Sequence, residues 1–68
     1  MKIKSSQILF LIRAYNEGTR IGGVIEEIIR AGYTKILVID DGSRDNTVKI
    51  AQSYPNIIVL SHAHNRGG

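Results

Sequence analysis

The sequence predicts an α/β fold, a parallel three-stranded sheet assembled in the order β-α-β-α-β. Three observations carry this reading. Short apolar runs recur three times, at about 7–13, 35–40 and 57–61. The two stretches between them space their apolar residues as helices do. Each apolar run is followed at once by a cluster of polar residues. Consecutive strand–helix–strand units cross over right-handedly and pair their strands in parallel.

The first strand is expected over 7–13, Gln7-Ile8-Leu9-Phe10-Leu11-Ile12-Arg13, whose unbroken apolar centre marks a strand covered on both faces. A helix over about 19–31 follows. Ile21, Val24, Ile25, Ile28 and Ile29 form its apolar stripe, with Glu26, Glu27 and Arg30 on the other side. Gly32 suits its C-terminal stop, where a positive φ carries no Cβ penalty. The second strand, over 35–40, is centred on Ile36-Leu37-Val38-Ile39. A shorter helix over about 45–54 carries Val48, Ile50, Ala51 and Tyr54; Asp45 or Ser43 can cap it, and Pro55 stops it. Ile57-Ile58-Val59-Leu60 is the core of the third strand, over 57–61.

Composition limits what such a domain can be. A chain of 68 residues is one small domain, expected to be an incomplete one. It buries roughly 60% of the surface its unfolded form exposes, so its core is marginal. There is no cysteine to staple it, and His62 and His64 do not make a zinc site. With 43% hydrophobic and 22% charged residues, the composition is globular and argues against disorder. No apolar run approaches the ~20 residues of a membrane span, and Ile8 to Ile12 is too short for a signal-peptide core. A cytoplasmic setting is the expectation. The net charge of +3 is scattered along the chain, with no basic cluster interleaved with aromatics, so no nucleic-acid partner is expected.

In parallel sheets ligands bind beyond the carboxyl ends of the strands, and there the polar clusters fall. They are Arg13-Ala14-Tyr15-Asn16-Glu17, Asp40-Asp41-Gly42-Ser43, and Ser61-His62-Ala63-His64-Asn65-Arg66-Gly67-Gly68. Adjacent carboxylates at a strand end point in different directions. One of Asp40 and Asp41 is therefore expected to face a crevice and the other to brace the loop. A carboxylate facing a crevice suits a donor such as a base imino N–H, a ribose hydroxyl or a bound cation; equally, Asp-Gly is a common turn dipeptide. Tyr15 either lays its ring on a planar base or half-fills the core. Glu17 either bonds a ribose or favours the start of the helix. Arg13 either offsets phosphate charge or pairs with Asp40 or Asp41. Asn65-Arg66-Gly67-Gly68 reads as a loop meeting phosphate or as a frayed tail. No P-loop run is present, and Gly18, Gly22 and Gly23 do not make G-x-G-x-x-G.

Ala14-Tyr15-Asn16-Glu17, Asp40-Asp41-Gly42-Ser43 with Asp45-Asn46-Thr47, and Asn65-Arg66-Gly67 together resemble the start of the family 2 glycosyltransferases. These are inverting, nucleotide-sugar-dependent enzymes of the GT-A fold. The resemblance runs from about Ile8 to Gly68 and covers only the Rossmann-like, N-terminal half of that fold. It implies a donor nucleotide sugar, UDP- or GDP-linked, with Tyr15 and Glu17 at the nucleoside, Asp41 on the base and Asp40 in support. Asn65 and Gly67 match a loop bordering the donor site, and Ala14 belongs to the first motif. The members most similar in flavour pass mannose or glucose to a polyprenyl phosphate at the cytoplasmic face of a membrane.

Two departures stand out. The family usually has proline where Arg13 stands. The chain also ends before the family's D-x-D motif, which would hold Mg²⁺ or Mn²⁺, and before its acceptor-side base. The 68 residues alone are thus expected not to transfer sugar, and no catalytic residue is assigned. Strand 7–13, lacking the second neighbour it has in that fold, is expected to pair with another copy. A non-enzymatic nucleotide-binding or self-assembling module is the main alternative. A metal-dependent phosphoryl-transfer domain would explain Asp40-Asp41 but leave the Tyr-Asn-Glu and Asn-Arg-Gly clusters unused.

Overall fold

The computed structural model describes residues 7–62. Its elements follow in the expected order: β1 (Leu9–Ala14), α1 (Ile21–Arg30), β2 (Lys35–Asp40), α2 (Thr47–Gln52) and β3 (Ile57–Ser61). Both outer strands pair with β2 in parallel, giving the sheet order β1-β2-β3. Ala14 lies opposite Asp40, and Asp40 opposite Ser61, so the three strands end level with one another. The polar segments after them therefore leave from one edge of a Rossmann-like sheet.

Element boundaries differ where local chemistry overrides the apolar pattern. β1 begins at Leu9, not residue 7, because that is where β2 supplies a partner, Lys35; it then runs on to Ala14. α1 starts at Ile21, two residues later than expected. The Glu17 carbonyl accepts the N–H groups of both Arg20 and Ile21, at 2.9 and 2.8 Å, and this turn takes up the chain before the helix. The helix ends as its sequence suggests. Gly32 at φ 96° lets its N–H reach the Ile29 carbonyl and the Tyr33 N–H reach that of Ile28, the paired bonds of a Schellman stop. α2 occupies only 47–52 of the expected 45–54. Asp45 lies ahead of it as a turn residue, and Tyr54 is held out of helical geometry by Pro55.

Two right-handed crossovers between strands in sequential order lay both helices on one face of the sheet. α1 and α2 pack together there, and Ile21 and Ile25 from α1 and Ala51 from α2 meet Ala14, Ile36 and Val38 from the sheet. The opposite face is bare among the described residues, which corrects the expectation of strands covered on both sides. Leu9 (57% exposed), Leu11 (56%), Ile58 (62%) and Leu60 (51%) stand on it, with Leu37 and Ile39 between them in register. An apolar run states that both faces of a strand are apolar. It does not state that the same stretch of chain supplies both covers. Among the described residues the outer edge of β1 is unpaired as well.

Candidate functional site at the carboxyl edge of the sheet

The residues just past β1 and β2 are held by continuation of the strand ladders. The Asp41 N–H donates to the Ala14 carbonyl at 2.9 Å, and the His62 N–H to the Asp40 carbonyl at 2.8 Å. Side-chain alternation then sends Asp40 and Asp41 to opposite sides of the sheet. Asp40 turns to the helix side and is 1% exposed. Its Oδ2 accepts the N–H groups of Gly42 at 3.1 Å and Ser43 at 2.8 Å, while the Ser43 hydroxyl donates to Oδ1. Asp40 is thus the post around which the loop is wound. Gly42 at φ 92° makes the winding possible without Cβ strain. Asp41 turns outward and pairs with Arg13, Nη2 to Oδ2 at 3.2 Å.

A second set of bonds clasps the post-β1 loop to the post-β2 loop. The Asn16 N–H donates to Ser43 Oγ at 2.7 Å, and Asn16 Oδ1 accepts the Arg44 N–H at 2.8 Å. The Glu17 N–H donates to Thr47 Oγ1 at 2.8 Å, and the Gly18 N–H to Asp45 Oδ2 at 3.0 Å. Asp45 also accepts the Thr47 N–H at 2.9 Å and the Thr47 hydroxyl. Asn16 sits at φ 52°, a left-handed conformation that asparagine tolerates better than most residues. Gly18 is required for space, because a Cβ there would lie 2.2 Å from Asn46 Oδ1 and 2.9 Å from Asp45 Oδ2. The Asp45 carboxyl is held below the usual carboxylate range, first by the Thr47 hydroxyl, against partial desolvation, with the N–H groups of Thr47 and Gly18 adding to it. Behind the clasp, the Tyr54 hydroxyl donates to Glu26 Oε2 at 2.9 Å and joins the turn after α2 to α1. That bond, with burial and the glutamate charge, pushes the phenol above its ordinary value.

With the loops fixed in this way, an open hollow of about 520 Å³ lies at the sheet edge, lined by Tyr15, Asp41, Gly42 and Arg44. Tyr15, 54% exposed, contributes an aromatic face, Asp41 an acceptor, and Arg44 a cation. The hollow falls within the ~300–1,000 Å³ typical of small-molecule sites. Other sequence-derived candidates stand elsewhere. Ala14 is buried and offers its carbonyl to the Asp41 N–H. Glu17 works through its backbone, and its carboxylate pairs with Arg20 at 3.6 Å. Asn65 and Gly67 lie outside the described residues. Arg44 was not among the candidates. Its position two residues past the Gly42 turn, directly after the Asp40–Ser43 cluster, was the available signal.

The described carboxylates do not fit a divalent cation. Asp40 has N–H and O–H donors on both oxygens, Asp41 is engaged by Arg13, and no group of three or more His, Asp or Glu side chains gathers among the described residues.

The comparison with known families turns on these same loops. The pattern of the Glycosyl transferase family 2 matches residues 10–68, which includes β1 from its second residue, both loops of the clasp and the hollow. The chain belongs to glycosyltransferase family 2. Among relatives, an uncharacterized protein of Methanocaldococcus jannaschii is 38% identical over 66 residues, covering 97% of this chain and 27% of its own. The UDP-N-acetylglucosamine–dolichyl-phosphate N-acetylglucosaminyltransferase of Methanococcus voltae is 30% identical, covering 88% of this chain and 30% of its own. A dolichyl-phosphate beta-glucosyltransferase of Trichomonas vaginalis is 34% identical, covering 88% and 23%. No solved structure matches the chain. This family 2 chain thus spans between 23% and 30% of the length of these relatives.

Proposed function

We propose that the chain is the donor-nucleotide-binding part of a glycosyltransferase that moves a hexose from a nucleoside diphosphate sugar to an acceptor, a polyprenyl phosphate. One observation carries the reading: Tyr15 and Asp41, 26 positions apart in the chain, line one hollow at the carboxyl edge of a parallel sheet. The tyrosine ring offers a face for a base to stack on, a contact of about 1–3 kcal/mol in comparable base–aromatic pairs. The Asp41 carboxylate accepts a base N–H. Arg44 supplies positive charge where a carbonyl or phosphate oxygen would lie. Asp40 and the clasp hold these groups still before ligand arrives, which lowers the ordering cost of binding. The polyprenyl-phosphate acceptor is supported by the names of the Methanococcus and Trichomonas relatives, which include dolichyl phosphate, and a place at the cytoplasmic face of a membrane is proposed with it. Among the described residues no helix is long and apolar enough to cross a membrane. The Mg²⁺ or Mn²⁺ that supports departure of a diphosphate would be held by residues other than those described. Self-association through the edge of β1 is part of the same proposal, since an unpaired edge flanked by exposed leucines recruits another strand.

Titration of the ¹⁵N-labelled chain with nucleoside diphosphates, followed by NMR, tests the central claim. Saturable shifts at the amides of Tyr15, Asp41, Gly42 and Arg44 are expected, and Asp41→Asn should abolish or strongly weaken them. Shifts confined to other parts of the surface, or none at millimolar ligand, would refute it.

A further inference from the structure

We infer that Arg13, through its pair with Asp41, sets the base preference of the hollow and that the base preferred is uracil. The inference rests on the donor-nucleotide reading and adds to it the identity of the nucleoside. It follows from which groups surround the one carboxylate that lines the hollow. Arg13 Nη2 stands 3.2 Å from Asp41 Oδ2, which leaves Oδ1 as the carboxylate oxygen without a described partner. Arg44 lines the same hollow. Among the described residues its backbone N–H bonds to Asn16 Oδ1, and its guanidinium has no hydrogen-bond or ion-pair partner. The hollow therefore presents the Asp41 carboxylate and the Arg44 guanidinium, and the Arg13 guanidinium stands behind them as the partner of Asp41; each guanidinium can only donate.

A base matches this set if it offers one N–H with carbonyl oxygens on both sides. Uracil does: its N3–H lies between O2 and O4. Guanine places O6 on one side of its N1–H but the N2 amino group on the other. It would set a donor against the Arg13 guanidinium and would seek both oxygens of a carboxylate that has one to give. Cytosine has an unprotonated N3, an acceptor, where Asp41 needs a donor. Adenine has the same fault at N1. Arg13 lies on the exposed side of β1 and its side chain is 72% exposed, so the discrimination sits at the weak end of what a base-edge contact provides. Roughly tenfold between uridine and guanosine nucleotides is expected.

The test uses the whole 68-residue chain and UDP, GDP and CDP, with affinities taken from NMR shifts at Tyr15 and Asp41. Binding of UDP about tenfold tighter than GDP is expected. Arg13→Met should close most of that gap, while CDP stays weak because Asp41 is unchanged. Arg13→Lys, which restores a donor-only cation, should recover part of the preference for UDP. The dispersed amide spectrum of each variant reports whether it is folded, and the lysine variant serves if the methionine variant is not. If GDP binds as tightly as UDP, or if Arg13→Met leaves the ratio untouched, the role given to Arg13 is wrong while the nucleotide reading stands. If none of the three nucleotides moves the hollow's amides, the nucleotide reading fails and this inference falls with it.

Discussion

Replacing Asp40 and Asp41 separately by asparagine should split one acidic dipeptide into a bracing residue and a ligand-facing one. Asp40 is 1% exposed and accepts two N–H bonds on Oδ2 and the Ser43 hydroxyl on Oδ1. Asparagine can keep its oxygen beneath the Gly42 and Ser43 N–H groups and present its amide nitrogen to Ser43 Oγ, which can turn to accept. The second amide N–H and the Ser43 hydroxyl hydrogen are then without a described acceptor, which adds to the loss. What disappears is the ionic part of those bonds: a hydrogen bond to a charged group contributes about 1.5–3 kcal/mol, against about 1 kcal/mol for a neutral one. Asp40→Asn should therefore destabilise the fold by at least about 1–3 kcal/mol, with roughly 4–8 °C of Tm lost per kcal/mol.

Alanine at the same position would leave two part-buried N–H groups without their acceptor, at up to about 1–3 kcal/mol each. That rivals the whole stability of a chain this size, about 3–10 kcal/mol, so Asp40→Ala is expected not to fold. Asp41 belongs to an ion pair whose side chains are 33% and 72% exposed, and such pairs contribute about 0–1 kcal/mol. Asp41→Asn should keep the wild-type Tm to within a few degrees and lose nucleotide binding. Urea and thermal denaturation followed by circular dichroism, paired with the NMR titration, read both effects. The assignment of roles would be refuted by an Asp41→Asn variant as destabilised as Asp40→Asn, or by an Asp40→Asn variant of wild-type stability.

Gly18→Ala should push Asn46 and Asp45 away and open the clasp, a steric displacement of about 1–2 kcal/mol seen as a lower urea midpoint. Gly23→Ala, on a helix face with nothing within 4 Å, should leave stability unchanged or raise it. Asp45, with its carboxyl lowered in the folded state, contributes stability that is complete above the ordinary carboxylate value of ~4 and is lost as pH falls through the lowered one. Acid titration should accordingly loosen the Gly18 and Thr47 amides, read by hydrogen exchange, and Asp45→Asn should flatten that part of the profile. Leu11→Lys, which puts a charge on the exposed side of the edge strand, should reduce self-association in sedimentation velocity. A wild-type chain monomeric at high concentration would contradict the edge-pairing proposal.

The apolar runs made the strands legible, since Ile36 to Ile39 and Ile57 to Leu60 have no competing period. The stop of α1 was legible too, because Gly32 answers a single backbone requirement. Helix starts were not. The Glu17 carbonyl, bonded to two amides, and the Asp45 carboxylate, turned back on Thr47, decide them through contacts that no local propensity contains. The bare face of the sheet was hidden for a related reason: the Leu9–Leu11 and Ile58–Leu60 pattern describes what a strand can bury, and the two crossovers decide which side is buried. Asp40 and Asp41 could be divided in principle from strand alternation. Which of the two faced inward required the register that sets Asp40 opposite Ala14 and Ser61.

The clasp also changes what the shared motifs mean. Asn16, Ser43, Asp45 and Thr47 belong to the stretches that mark the family, yet none of them lines the hollow. Their polar atoms are occupied by the opposite loop, Asn16 with Arg44 and Ser43, Asp45 with Gly18, and Thr47 with Glu17, and Thr47 also bonds Asp45 within its own loop. Two loops separated by a helix and a strand must keep one geometry for Tyr15 and Asp41 to face the same ligand, and short polar side chains reaching across backbone amides are a direct way to impose it. Residues of this kind are expected to affect binding through position rather than contact. A substitution such as Thr47→Val should therefore weaken every nucleotide by a similar factor, where a substitution of Arg13 changes the order among them.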